Sequence, residues 1–177
     1  MAIGLCEFES HLGHFKNPQT IDFSILADFF SLMPDNMDIV RCNEYDYEVL
    51  AGIWERSVIA THSFLKGEDF KEIKAALIPD YFPHVDLYAI ADDGVYAGFI
   101  GLTLCAIEML FIDSDRRGLG YGSALVEFAK QKGATKVDVN EQNLSALNFY
   151  IARGFRVIAR DETDEAGRPY PIIHLSL

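Results

Sequence analysis

Apolar positions recur at two periods along the chain, and the switches between them predict its elements. Across residues 44–60, Tyr47, Leu50, Ala51, Trp54 and Val58 fall three or four apart, the stripe of an amphipathic helix. A second helix is predicted over 68–78, ended by Pro79, whose ring clashes with the preceding turn. Residues 87–91 and 95–104 read as strands joined at Asp92-Asp93-Gly94, a hairpin turn signal. Gly98 and Gly101 in the returning strand mark bulges or points of close approach. The next strand, 106–112, is apolar on both faces apart from Glu108, as expected of a central strand covered on both sides. Leu125, Phe128 and Ala129 give a third helix (123–132) its core face, and Gly133 ends it. A strand at 135–139, a helix at 144–153 closed by Gly154, and strands at 155–160 and 171–177 complete the pattern. With a short opening strand at 37–42, the order is strand, two helices, three strands, helix, strand, helix, two strands: a mixed α/β chain.

Residues 1–36 break this rhythm. Ile25, Leu26, Phe29, Phe30 and Met33 suggest one short amphipathic helix, but no period is sustained. They read as an N-terminal extension of unknown role, with the main domain spanning 37–177. At 177 residues and 50% hydrophobic, one domain can bury a proper core. The formal charge of −12 argues against nucleic acid as partner and tilts toward a cationic ligand. No apolar run approaches the ~20 residues of a membrane span, and no basic segment precedes an apolar one as in a secretory signal. Cys6, Cys42 and Cys105, odd in number and without a C-x-x-C pair, read as reduced thiols, so a cytoplasmic location is expected. No metal-ligand spacing is found.

The chemistry concentrates after the central strand, in Arg117-Gly118-Leu119-Gly120-Tyr121-Gly122-Ser123. Alternate glycines let the backbone aim its N–H groups outward, and the following helix adds free N–H groups and the positive end of its dipole. That combination binds anions, most often phosphate. A dinucleotide fingerprint would need G-x-G-x-x-G directly after a strand. Here the spacing is G-x-G-x-G and residues 113–117 intervene, which disfavours NAD(P), although Asp138 sits at the distance of that motif's acidic residue. No Gly-Lys-Ser/Thr follows for a Walker loop.

The turn resembles the pyrophosphate loop of the GNAT superfamily, Gln/Arg-x-x-Gly-x-Gly/Ala. A second segment, Asn143-Leu144-Ser145-Ala146-Leu147-Asn148-Phe149-Tyr150 followed by Arg153-Gly154-Phe155, resembles that family's Asn-x-x-Ala-x-x-Phe-Tyr…Gly-Phe signature. Finer similarities, such as Val-Asn-Glu-Gln-Asn at 139–143, point to the small bacterial YjaB-type group. The resemblance covers 37–177. It implies a GNAT acyl-CoA N-acyltransferase fold, a mixed and mostly antiparallel central sheet with helices on both faces. It also implies acetyl-CoA as co-substrate and acetyl transfer to a small-molecule or peptide amine by direct attack on the thioester. The alternative is a non-catalytic acetyl-CoA sensor or scaffold.

By the same resemblance, the backbone of Gly118, Leu119, Gly120, Tyr121 and Gly122, with the Ser123 hydroxyl, would hold the pyrophosphate. Gly120 and Gly122 would be glycines because a Cβ would crowd it. Arg116 and Arg117 would screen its charge or form a solvated pair. The Leu110 N–H would face the thioester carbonyl and Ile112 the pantetheine arm. Asn143 would hold the pantetheine, cap the 144–153 helix, or both. Tyr150 would protonate the leaving thiolate or simply pack. Glu108 is the candidate base, against an ion pair or water. His62, with Phe64, borders the acceptor site, where it would bind acceptor, act as the base, or simply cap a helix at the surface; His174 reads as structural. The last strands offer an edge where two copies could pair as a homodimer.

Overall fold

The computed structural model describes residues 37–177; the expected N-terminal extension and its short helix lie outside them. Seven strands form one sheet: β1 (Met37–Arg41), β2 (Asp86–Asp92), β3 (Val95–Leu102), β4 (Ala106–Ile112), β5 (Lys136–Asn140), β6 (Arg156–Asp161) and β7 (Ile172–Ser176). Their spatial order is β1-β2-β3-β4-β5-β7-β6. Every neighbouring pair is antiparallel except β4 and β5. Four helices, α1 (Tyr47–Thr61), α2 (Gly67–Ala76), α3 (Tyr121–Gln131) and α4 (Leu144–Ile151), complete the order that the hydrophobic pattern predicts.

The sheet separates two cores. On one face α1 and α2 bury Leu50, Ile53 and Trp54 against Phe99 and Met109. On the other, α3 and α4 bury Leu125, Val126 and Tyr150 against Ile100 and Ile107. β4 lies between both layers, which explains its nearly unbroken apolar sequence. The hairpin turn is as expected: Asp93 (φ 51°) and Gly94 (φ 77°) both take left-handed backbone, the twist that matches the flanking strands. Pro79 does not end the second helix as expected. The helix tightness relaxes into a π-helical turn, Leu77–Tyr81, that carries the proline within it.

The glycines of β3 mark irregular pairing, as their presence suggests. Gly101 opposes Met109 and Leu102 opposes Ile107, so Glu108 is an extra residue on β4, a β-bulge. The bulge reverses the inside-outside alternation: Ile107 enters one core, whereas Met109, two residues on, enters the other. Gly98 is a close approach. A Cβ there would lie 2.4 Å from Ile112 Cδ1 and 2.7 Å from the Phe111 carbonyl oxygen.

Cys42 is a free, half-buried thiol, pushed up to about 12 chiefly by burial. Among the described residues, no helix is long and apolar enough to cross a membrane.

Gly98→Ala should lower stability by about 1–3 kcal/mol, because the methyl group meets the Phe111 carbonyl oxygen and Ile112 Cα, which cannot yield, as well as the Ile112 side-chain end, which can. A urea midpoint reduced with an unchanged m-value is the expected result.

Candidate active site

The site begins with a failure of pairing. β4 and β5 are in register only at Ala106–Lys136 and Ile107–Val137, and beyond these β4 has no strand partner on that edge. The Asp113 N–H bonds the Ala97 carbonyl, toward β3. Successive N–H groups alternate along a strand, so those of Leu110 and Ile112 face the opening that β5 leaves.

The glycine turn lies at the end of β4. Gly118 (φ 78°) and Gly120 (φ 93°) are left-handed, a conformation that L side chains rarely adopt. Neither would place a Cβ within 4 Å of another group, so backbone conformation, not space, demands glycine there. Gly122 is constrained differently, since its Cβ would lie 3.3 Å from the Phe149 ring. The protein's own conformation and packing therefore already require the two glycines whose expected reason was crowding of a phosphate. Gly120 caps α3 without a side-chain hydrogen bond, leaving the first N–H groups of the helix available.

Carboxylates hold this turn from two sides. Asp92, on the β2–β3 hairpin, accepts from Arg116 Nη1 (2.8 Å) and from the Tyr121 hydroxyl (2.6 Å). Asp113 takes a forked pair of bonds from Arg56 on α1, and that guanidinium holds its carboxyl below the usual range. Arg116 is thus committed to Asp92, whereas Arg117 is exposed beside the cleft. Leu119 is exposed and lines neither cleft described below, so only its backbone faces the question of binding.

From α4, Asn143 caps the helix, its Oδ1 accepting from the Ala146 N–H at 3.1 Å. Tyr150 is 5% exposed, its ring edge-on to Phe149 and Phe155. Burial raises its hydroxyl pKa above the ordinary phenol value. From the α1–α2 loop comes His62. Thr61 Oγ1 donates to the Ser57 carbonyl (2.7 Å) and lies 2.7 Å from His62 Nδ1. A hydroxyl has one proton, so Nδ1 must be the donor in the second bond, and Nε2 keeps its lone pair. Burial, with the Arg117 charge in the same direction, pushes His62 down to about 4. Phe64 lies between His62 and Tyr170, with ring centroids 5.3 Å and 6.3 Å away. Glu108, on the bulge, accepts from Thr103 Oγ1 at 2.8 Å.

These groups line two clefts. One, of about 380 Å³, runs along Arg117, Gly118, Gly120, Gly122 and Ser123. The other, of about 180 Å³, is walled by Trp54, Phe64, Glu108 and Tyr170. Both are lined by His62, Leu110, Asn143 and Tyr150, so they meet at those side chains. Sequence reasoning missed Arg153, whose guanidinium lines the first cleft, and Tyr170, which walls the second. Arg153 stood inside the quoted signature as a spacer; Tyr170 lies in Gly-Arg-Pro-Tyr-Pro at 167–171, a segment that also resembles the YjaB-type group but carries no role by itself, and arrives on the loop before β7.

His174 is structural in its contacts, its two ring nitrogens facing Asp138 (2.8 Å) and Asp161 (3.0 Å) across β5, β7 and β6. Burial lowers its pKa, but the two carboxylates outweigh that and the net shift is upward. Among the described residues, no group of three or more His, Cys, Asp or Glu side chains could hold a metal ion.

His62 gives a pH prediction with a definite sign. Its folded value of about 4 lies below the ordinary 6.5, so the unfolded chain binds the proton more readily. Its contribution to stability is full above pH 6.5 and is lost as pH falls through about 4. The urea midpoint of wild type should therefore fall relative to that of His62→Gln as pH drops from 6.5 to about 4, and an imidazole NMR titration should give a midpoint near 4.

The comparisons with known proteins agree with this geometry. Residues 83–157 match the Acetyltransferase (GNAT) domain family. The chain is similar to the peptidyl-lysine N-acetyltransferase YjaB of Salmonella typhimurium, 42% identical over 142 residues that span 78% of this chain and 97% of that protein. The solution structure of apo-form YjaB from Escherichia coli superposes with a TM-score of 0.74 at 37% identity, covering 79% of this chain and 96% of that one. The PaiA N-acetyltransferase of Thermoplasma acidophilum, solved in complex with coenzyme A, shares the fold at a TM-score of 0.59 and 20% identity, covering 80% and 99% of the two chains. The parted strands, the glycine turn and these likenesses lead to one conclusion: the chain belongs to the GNAT superfamily and is an N-acetyltransferase.

Proposed function

We propose that the enzyme moves the acetyl group of acetyl-CoA to the side-chain amine of a lysine in a peptide or protein, by direct attack on the thioester. The observation that carries this reading is the meeting of two clefts at Leu110, His62 and Tyr150. A coenzyme sensor needs only the larger cleft; a second opening onto the same three residues suits a reaction between two substrates. The lysine acceptor rests on the peptidyl-lysine activity for which the YjaB relative is named and on the acidity of the chain. The catalytic unit in this reading is 37–177, which supplies every side chain invoked.

In the larger cleft, the N–H groups of residues 119–123 and the positive end of α3 would receive the pyrophosphate, with Arg117 adding charge. The pantetheine arm would lie along the open edge of β4 as an added strand, against Ile112 and Asn143. The Leu110 N–H would then donate to the thioester carbonyl oxygen, where negative charge develops during attack.

The acceptor arrives as an ammonium, with an ordinary pKa near ~10, and must lose a proton first. A histidine whose own value is about 4 is a poor proton acceptor at neutral pH but a good neutral hydrogen-bond acceptor. His62 Nε2 therefore orients the amine, beside Phe64, and the Glu108 carboxylate takes the proton. The amine lone pair attacks the carbonyl carbon, the nitrogen of the tetrahedral intermediate releases its second proton to water, and collapse to the amide breaks the carbon–sulfur bond. Tyr150, kept protonated by its burial, donates its proton to the departing thiolate.

Tyr150→Phe should leave the coenzyme A dissociation constant within about twofold and lower kcat by ~10²–10⁴. Mass-spectrometric detection of acetyl-lysine on a peptide mixture provides the assay. Acetylation confined to peptide N-termini would overturn the lysine assignment, and a trapped acetyl-enzyme would overturn direct attack.

A further inference from the structure

Arg153 occupies an odd position for a cation. It follows α4, yet its side chain reaches the first turn of α3, where the helix dipole is positive and a guanidinium is disfavoured. It is half-buried, and burial lowers its pKa. Its plane sits over the Phe149 ring with Cζ 3.5 Å from the centroid, Nη1 donates to the Phe149 carbonyl at 2.8 Å, and Nη2 donates to Ser123 Oγ. Among the described residues, no carboxylate forms an ion pair with it; Arg117 and Arg156 share this but are exposed, whereas Arg56, Arg116, Arg160 and Arg168 each have one. The same guanidinium lines the larger cleft together with Gly118, Gly120 and Ser123.

A buried charge is retained where something compensates it. The stacked ring and two neutral acceptors do so partly, and fix the guanidinium's plane. Glu127 attracts the charge without an ion-pair contact, and the remaining N–H groups lie beside a cleft that already offers outward-facing backbone N–H groups. An anion satisfies both sets of donors and the charge together, and a planar fork matches phosphate oxygens.

We propose that Arg153 is a ligand of the coenzyme's diphosphate, stored on Phe149 beside the α3 N-terminus and sharing Ser123 Oγ with the incoming phosphate. The proposal rests on the coenzyme reading above but adds to it a residue and a target. Arg153 supplies the positive charge that the backbone turn lacks, while Phe149 both holds the guanidinium and fills the space that Gly122 leaves open. The residue acts on binding, not on the transferred group.

The test compares wild type, Arg153→Met and Arg153→Lys in calorimetric titrations with coenzyme A, dephospho-coenzyme A and pantetheine. Arg153→Met should weaken coenzyme A by about 10- to 100-fold, the usual worth of a charge-assisted hydrogen bond. Dephospho-coenzyme A, which keeps the diphosphate and lacks the 3′-phosphate, should be weakened by the same factor. Pantetheine, which has no phosphate, should bind all three proteins equally. Arg153→Lys should fall between the other two, because the charge remains and the fork is lost. A loss that vanishes with dephospho-coenzyme A would move the contact to the 3′-phosphate and overturn the proposal. Equal loss for pantetheine would make the residue merely structural, and an unchanged coenzyme A affinity would also refute it. If wild type binds coenzyme A poorly and pantetheine alike, the coenzyme reading itself fails, an outcome distinct from failure of the Arg153 assignment.

Discussion

A strand inside a sheet must find partners for its backbone groups on both edges, and β4 does so on only one beyond Ile107. The rest of the structure follows from that constraint. The bulge at Glu108 lets β4 stay paired with β3 while its side chains change faces, so the strand seals one core with Met109 and Phe111 and packs Leu110 and Ile112 against the other. The backbone edge so released is useful because it is polar, extended and set between two helical layers. An extended amide-bearing arm is the ligand that such an edge suits.

Around that edge the protein spends its strong polar contacts on position. Asp92 and Asp113 fasten the glycine turn to the β2–β3 hairpin and to α1, so the loop is braced against both cores. Both pairs are partly exposed, and their energetic worth is modest. Their value is geometric: they fix where the α3 N–H groups point. The acceptor side is held similarly, with Tyr170 bonded to Asp69 and receiving the Lys66 N–H, which ties the loop before β7 to the start of α2.

The order of elements was legible because each is encoded locally. The stripe from Tyr47 to Val58, the Asp93-Gly94 turn and the glycines closing α3 and α4 need no knowledge of distant residues. The glycine turn was legible for the same reason, its φ angles being a property of the residues themselves. The bulge was visible only as glycines in β3, because the extra residue, Glu108, lies on the partner strand and register is a non-local property. The second helix shows the limit of a local rule: Pro79 is accommodated by a π turn whose cost is offset by burying Leu77 and Phe82. Arg153 was passed over because its meaning depends on how α4 docks beside α3, which no spacing within one helix reveals. The tautomer of His62, likewise, follows from Thr61 and Ser57 only once the helix end is built.

The central claim is that the open edge of β4 and the turn below it form one continuous coenzyme site. The most direct test is a titration of the isotopically labelled protein with coenzyme A, followed by amide NMR shifts. The account predicts that the N–H signals of Leu110, Ile112 and residues 119–123 move together with one dissociation constant, while those of β1 and β6 stay in place. Movement of the turn without Leu110 and Ile112 would contradict the strand-like pairing, and no movement in either group would contradict the site altogether.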